Sequence, residues 1–191
     1  MADRIKVGYA FCGSFCTLSD SLSVMERLVT LGYDVYPIMS ENVYFTDTRF
    51  ARAEDFSLKV ERISGKEVIH TIASAEPLGP SLVLDALVVA PCTGNTLAKA
   101  SLGITDTAVT MAAKAHLRQD RPLLIALASN DAMSQNLGNI ARLITRRSIY
   151  FTPMEQDDPL GKPHSLVADF SRLVQSYRDM REGRQIRKMF I

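Results

Sequence analysis

Unbroken apolar runs and helically spaced apolar positions take turns along this chain. Ile5 to Phe11 is a short apolar run closed by Gly13, which predicts a buried strand. Leu18, Leu22, Met25, Leu28 and Val29 then recur on one helical face, with Gly32 standing where a helix ends. Val35 to Met39 predicts a second strand, although Pro37 suits only an edge or a bend. Phe50 to Ile63 predicts a charged amphipathic helix stopped at Ser64-Gly65, and Glu67 to Ala75 a short helix ended by Pro77-Leu-Gly-Pro80. Leu82 to Ala90 has no polar alternation at all, the pattern of a central parallel strand buried on both faces. Thr96 to Arg118 reads as helical with a break at Gly103, Leu123 to Ala128 as another buried strand, and Asn136 to Arg146 as a helix. Ile149 to Phe151 is the last predicted strand, and Ser165 to Lys188 the closing helix.

Parallel strands need helical crossovers, so this succession predicts an α/β fold: an open, doubly wound, mostly parallel sheet in three layers. No repeat and no linker rich in Gly or Ser divides the chain, so residues 1–191 are expected to form one domain. The composition agrees, being 47% apolar and 23% charged. Lys+Arg 22 against Asp+Glu 21 gives +1, which excludes the basic field of a general nucleic-acid binder. No stretch approaches the roughly 18 apolar residues of a membrane span, and the Met1–Arg4 end shows no signal-peptide pattern. Cys12, Cys16 and Cys92 are odd in number and lack metal-ligand spacing, so three free thiols in a reducing cytoplasm and no metal are expected.

Ligands of such sheets bind beyond the carboxyl ends of the strands. The segments to inspect are therefore Phe11–Cys16, Ser40–Thr48, Pro91–Thr96, Ala128–Met133 and Thr152–His164. The first loop, Gly8-Tyr-Ala-Phe-Cys-Gly13-Ser14, resembles a P-loop but puts Ser14 where the phosphate-reaching lysine belongs. It also fails the dinucleotide fingerprint, and Ser40 ends the second strand where an acid for a ribose is usual. A triphosphatase and a stand-alone NAD enzyme are disfavoured. A small-residue turn before a helix still suits a single phosphate, and a plain tight turn explains this loop equally well. Pro91-Cys-Thr-Gly-Asn-Thr96 is different: capping by Thr93 or Asn95 accounts for one of its residues well and for five poorly. Two such turns side by side favour a ligand.

Gly13-Ser14, Ser40, Pro91-Cys-Thr-Gly-Asn-Thr96 and Gly103-Ile-Thr-Asp106 resemble the flavoprotein family of FMN-binding cysteine decarboxylases and flavin prenyltransferases. There the third motif reads P-A-T-A-N-T and is followed by G-I-A-D. Asn130-Asp-Ala-Met133 resembles the family's M-N-x-x-M segment. The resemblance implies a Rossmann-like flavoprotein fold, usually a trimer or a dodecamer of trimers, with flavin between subunits. FMN phosphate would lie on Gly13, Ser14 and Phe15, and Ser40 would touch the phosphate or ribityl chain. Thr93, Gly94, Asn95 and Thr96 would contact the ribityl chain and ring, with Asp106 anchoring nearby.

The phrases Ala75-Glu-Pro-Leu-Gly-Pro80, Met111-Ala-Ala-Lys-Ala115 and Gln156-Asp-Asp-Pro159 with Lys162-Pro163 match one branch of the family more closely still. That branch implies one subunit of an oxidoreductase, acting on a small dicarboxylate heterocycle beside a partner that uses NADP or NAD. The rival activities are a stand-alone FMN-dependent decarboxylase or prenyltransferase, and a non-catalytic oligomeric scaffold for the partner.

Departures from the family pattern accompany the matches. The decarboxylases use a mid-chain His as acid/base, and the comparable region here holds His70 on a predicted helix. The proline, first Met and Trp of the M-N-x-x-M neighbourhood are Leu127, Ser129 and Ser134. Asn130 in that segment and His164 in the polar loop Gln156–His164 are the candidate catalytic residues. Asp157 and Asp158 beside Lys162 and His164 can orient a dicarboxylate or transfer a proton. Ordinary turn chemistry explains the same residues. Lys114, His116, Arg118 and Arg121, and the basic tail Arg172–Lys188, read as solvated faces or partner contacts.

Overall fold

The longest apolar run of the sequence lies at the centre of the sheet. The structure is a computed structural model and describes residues 4–191, so Met1–Asp3 and the leader reading made there lie outside the described residues. Parallel strands β1 (Lys6–Phe11), β2 (Asp34–Met39), β3 (Ala86–Cys92), β4 (Leu123–Ser129) and β5 (Ile149–Phe151) form its main body, in the order β2-β1-β3-β4 with β5 on β4. All seven residues of β3 are buried, because helices cover both faces of the sheet. Pro37 sits inside β2, which is hydrogen-bonded to β1 on one side only. Its carbonyl points outward and accepts from the Ile69 amide at 2.9 Å, so the missing N–H costs no bond to β1.

Helices fall into two sets by the core they cover. α1 (Leu18–Thr30) and α3 (Ala53–Ser64) bury Leu18, Leu22, Met25, Leu28, Phe56 and Val60 on one face. α5 (Gly94–Leu102), α6 (Ala108–Leu117) and α7 (Leu137–Ile144) bury Leu97, Val109, Ala112, Ile140 and Leu143 on the other. Gly103, with φ +75, takes the left-handed turn that separates α5 from α6 where one broken helix is expected. The chain therefore leaves β1 toward one side and returns to β3 on the other, which makes the β1/β3 boundary a topological switch point.

Several elements differ from expectation. β3 begins at Ala86 rather than Leu82, and Leu84 turns under Gly8, where any Cβ would come within 2.7 Å of it. Of Glu67–Ala75 only α4 (Ile72–Ala75) is helical. Val68 and Ile69 are extended, and Ile69 pairs with Ile38 as an extra parallel rung. A short helix, α2 (Glu41–Phe45), follows β2 where a loop is expected. The closing helix is the largest correction. Ser165 to Lys188 holds strand β7 (Leu166–Ala168), a 3-10 turn (Phe170–Arg172) and only then α8 (Leu173–Arg181). β7 pairs antiparallel with Ala128 and Ser129 of β4 and with β6 (Met154–Glu155). No helix among the described residues is long and apolar enough to cross a membrane.

Candidate functional site

Three loops meet at the switch point. The Cys12 amide donates to the Pro91 carbonyl at 3.1 Å and the Ser40 amide to the Phe11 carbonyl at 3.0 Å, so the ends of β1, β2 and β3 are fastened side by side. Ser14 opens a 3-10 turn (Phe15–Thr17) that leads into α1, and its carbonyl accepts from the Thr17 amide at 3.1 Å and the Thr17 hydroxyl at 3.0 Å. Thr93 caps α5, accepting from the Thr96 amide at 3.2 Å, and Thr93 Oγ1 donates to Thr96 Oγ1 at 3.1 Å. Asn95 stays exposed on the first turn of α5. The other first-turn amides have no intrahelical acceptor, which leaves them open to an anion or a polar ligand.

Ser40 supplies the sharpest observation. Its hydroxyl is buried and has no hydrogen-bond partner, although the residue occupies the N-cap of α2, where serine usually bonds a backbone amide. A buried hydroxyl left unbonded costs about 1–3 kcal/mol. Gly13 beside it lies close to the Phe15 ring and to Asn42, so the crevice wall there has no side chain of its own.

Cys12 and Cys92 are buried and unpaired, and burial pushes the Cys12 thiol up to about 11, against smaller lowering by the Thr96 side chain and the Thr93 backbone. Burial, with the neighbouring Cys12, raises Cys92 as well, so both remain protonated at neutral pH and act as small apolar packing. Cys16 is exposed. Among the described residues no group of His, Cys, Asp or Glu can hold a metal.

The second half of the expected set gathers less tightly. Asn130 is exposed on the turn after β4, and His164 is exposed before β7. Their segments meet through the Met133 amide, which donates to the His164 carbonyl at 2.9 Å. The polar loop is cross-tied: Asp157 accepts from Lys162 Nζ at 2.8 Å and from Ser165 Oγ at 2.6 Å, and these bonds hold its carboxyl below the ordinary carboxylate range. Asp106 is not joined to the crevice. It lies past the end of α5, exposed and paired with Lys99 at 2.8 Å.

His70 is the residue the sequence pattern misplaces. It is on no helix; the chain runs along β2 through Ile69, so His70 emerges at the same sheet end as Ser40. Its ring stacks flat on Tyr44 of α2 at 3.7 Å and meets Phe45 edge-on at 5.9 Å. Val68 and Ile69, both β-branched, were the available signal for an extended approach.

Two grooves lie beside these loops. One of about 380 Å³ runs from Phe15 and Cys16 to Phe50 and Phe56. Another of about 1140 Å³ lies between α1 and the β7–α8 segment and contains none of the expected residues. Apart from Phe15, none of the expected residues lines either groove.

Comparison with known proteins matches this architecture. The chain is 39% identical over 186 residues to the B subunit of dipicolinate synthase of Bacillus subtilis (strain 168), covering 97% of this chain and 93% of that protein. The crystal structure of the B subunit of dipicolinate synthase from Bacillus halodurans superposes with a TM-score of 0.90 at 38% identity, covering 98% of this chain and 96% of that one. AnUbiX in complex with FMN and dimethylallyl pyrophosphate shares the fold at a TM-score of 0.63 and 22% identity, covering 79% of this chain and 78% of that one. The family model described as Flavoprotein matches residues 1–175, and the chain belongs to the flavoprotein family.

Proposed function

We propose that this chain is the B-type subunit of a dipicolinate synthase. It acts with an A-type subunit to form dipicolinate from a dihydrodipicolinate-type intermediate of lysine biosynthesis during sporulation. The observation that carries the reading is similarity to the B subunit of dipicolinate synthase along nearly the whole chain, at 39% identity. The proposed setting is the cytoplasm of the mother cell of a spore-forming bacterium, as a homo-oligomer, a trimer or a dodecamer.

Aromatising a dihydropyridine removes a hydride and a proton, so the reaction needs a two-electron acceptor. Flavin, when bound, supplies such an acceptor, and a nicotinamide in the partner supplies another. The residues present fit FMN. Gly13, Ser14 and Phe15 would hold the phosphate, and the unpartnered Ser40 hydroxyl would bond to the phosphate or to the ribityl chain. Thr93, Gly94, Asn95 and Thr96 would contact the ribityl chain and ring. Asn130 and His164 would border the substrate side and hold or move the proton, and Asp106, paired with Lys99, would anchor the flavin from nearby.

A second reading, a flavin-dependent decarboxylase acting alone, is favoured by one observation: His70 stands at the same sheet end as Ser40, held by Tyr44. Both readings are separated by mixing the chain with an A-type partner, the dihydro intermediate and NADP⁺. The synthase reading predicts more dipicolinate absorbance than the A-type partner gives alone, lost in His164→Ala and retained in His70→Asn. No increase over the partner alone overturns it.

A further inference from the structure

The sheet has two outer edges, and each carries a cover that is not a regular strand. On β2, the Met39 amide donates to the Ile69 carbonyl and the Ile69 amide to the Pro37 carbonyl, both at 2.9 Å. The other edge is the stretch from β5 to β6, where Phe151 and Met154 turn their backbone groups outward. The Phe151 amide donates to Gln185 Oε1 at 2.8 Å, and Gln185 Nε2 donates to the Phe151 carbonyl at 2.7 Å. A side-chain carboxamide thus imitates the peptide group of a neighbouring strand. The Met154 amide donates to the Met189 carbonyl at 2.7 Å, and the Ile191 amide to the Met154 carbonyl at 3.0 Å, which makes a parallel rung opposite Phe190.

The two covers differ in how firmly they are held. Val68, beside Ile69, is buried in the core. No residue from 185 to 191 is buried, Met189 only rests against the core, and Phe190 and Ile191 are 55% and 48% exposed. The segment leaves α8 through Gly183, with φ +73, and bends again at Lys188, whose φ of +51 is uncommon for a residue with a side chain. Held by these few hydrogen bonds and little apolar burial, residues 185–191 open before the strands they cover. Opening bares two amides and two carbonyls along one edge, the pattern with which another extended chain pairs.

We propose that the β5–β6 edge is a strand-addition site, closed in one copy by its own residues 185–191 and able to take the same residues of a second copy. The occupant follows from the fit. The Gln185 clamp and the Met189–Ile191 rung need this side chain at this spacing, and a second copy supplies both unchanged. Exchange replaces each bond by an identical one, so its cost is that of bringing two chains together. Nothing in the exchange depends on a bound flavin.

The test uses the full chain and a dye-labelled peptide of residues 184–191. Gln185→Ala combined with Ile191→Pro removes both Gln185 bonds and the Ile191 bond, and leaves the β5–β6 edge itself intact. The peptide is expected to bind this double variant at least about tenfold more tightly than the parent, whose edge is occupied. The same peptide carrying Gln185→Ala, unchanged in charge, is expected to bind the double variant about fivefold less tightly. In the full-length Gln185→Ala chain, hydrogen exchange of the Phe151 amide is expected to rise at least about tenfold, with that of Leu124 unchanged. Equal affinity for double variant and parent, including no binding to either, overturns the proposal, as does unchanged exchange at Phe151. Equal affinity of the two peptides overturns it too, because basic charge alone then explains the binding. A double variant that unfolds early also overturns it, since residues 185–191 then belong to the cooperative core.

Discussion

The two ends of the sheet treat their polar groups in opposite ways. At the amino end, charged groups are tied to the backbone and to one another, although the buried Tyr177 hydroxyl beside Tyr33 has no partner. The Lys6 amide donates to Asp85 Oδ2 at 2.8 Å, and Arg121 reaches the Leu84 carbonyl at 3.0 Å and Asp85 Oδ1 at 3.3 Å. His116, nearly fully buried, bonds the Pro122 carbonyl through Nε2 at 2.9 Å. At the carboxyl end, the Ser40 hydroxyl is buried without a partner, and Asn95, Asn130 and Asp131 stand exposed. Polar groups that satisfy each other stabilise the fold. Those left open beside first-turn amides keep bonding capacity for something else.

If the amino end is structural, breaking it should cost stability and spare binding. Asp85→Ala removes the acceptor of the Lys6 amide and of Arg121, and is expected to lower unfolding stability by about 1–2 kcal/mol in urea titrations. FMN affinity should be unchanged. A large loss of affinity would mean that the two ends are coupled.

His116 sharpens the same contrast through pH. Burial lowers its pKa from 6.5, with Arg121 adding to the effect, while the Pro122 bond and Asp85 oppose it. The unfolded chain therefore takes up the proton first as pH falls. Stability from this group is full above about pH 6.5 and declines below it. Between pH 8 and 5.5 the parent chain is expected to lose a few degrees more in melting temperature than His116→Gln does. Parallel curves for the two would mean that His116 does not titrate between them.

The smallest effect is expected at the Asp157–Lys162 pair, which is largely solvent-exposed. Lys162→Ala should change unfolding stability by about 0.5 kcal/mol or less. A larger change would mean that the Gln156–His164 loop belongs to the cooperative core.

Much of this was legible in the residues, and the gaps have physical causes. The buried parallel strands were legible because burial on both faces removes polar alternation, as in Leu87 to Ala90. The crevice loops followed from the strand ends alone, and the flavin came from the family motifs. Ser165–Lys188 misled because Leu166, Phe170, Leu173, Tyr177 and Met180 keep near-helical spacing. The partners of Leu166–Ala168 on β4 and β6 are set by tertiary pairing that no local window contains. His70 was misplaced for a related reason: Ile69 pairs with the outer edge of β2, a contact distant in sequence. The crowding of Gly94 by Ser129, Asp131 and Asn136 was invisible because these residues come together only through the fold.

The most direct test of the central claim, that the β1/β3 switch point holds a flavin, is a titration of the flavin-free chain with FMN, followed by flavin fluorescence and visible absorbance. The account predicts saturable binding that Ser40→Ala and Asn95→Ala each weaken by about five- to tenfold, the size of one lost hydrogen bond. Binding that neither substitution disturbs, or no binding at high micromolar FMN, would contradict it.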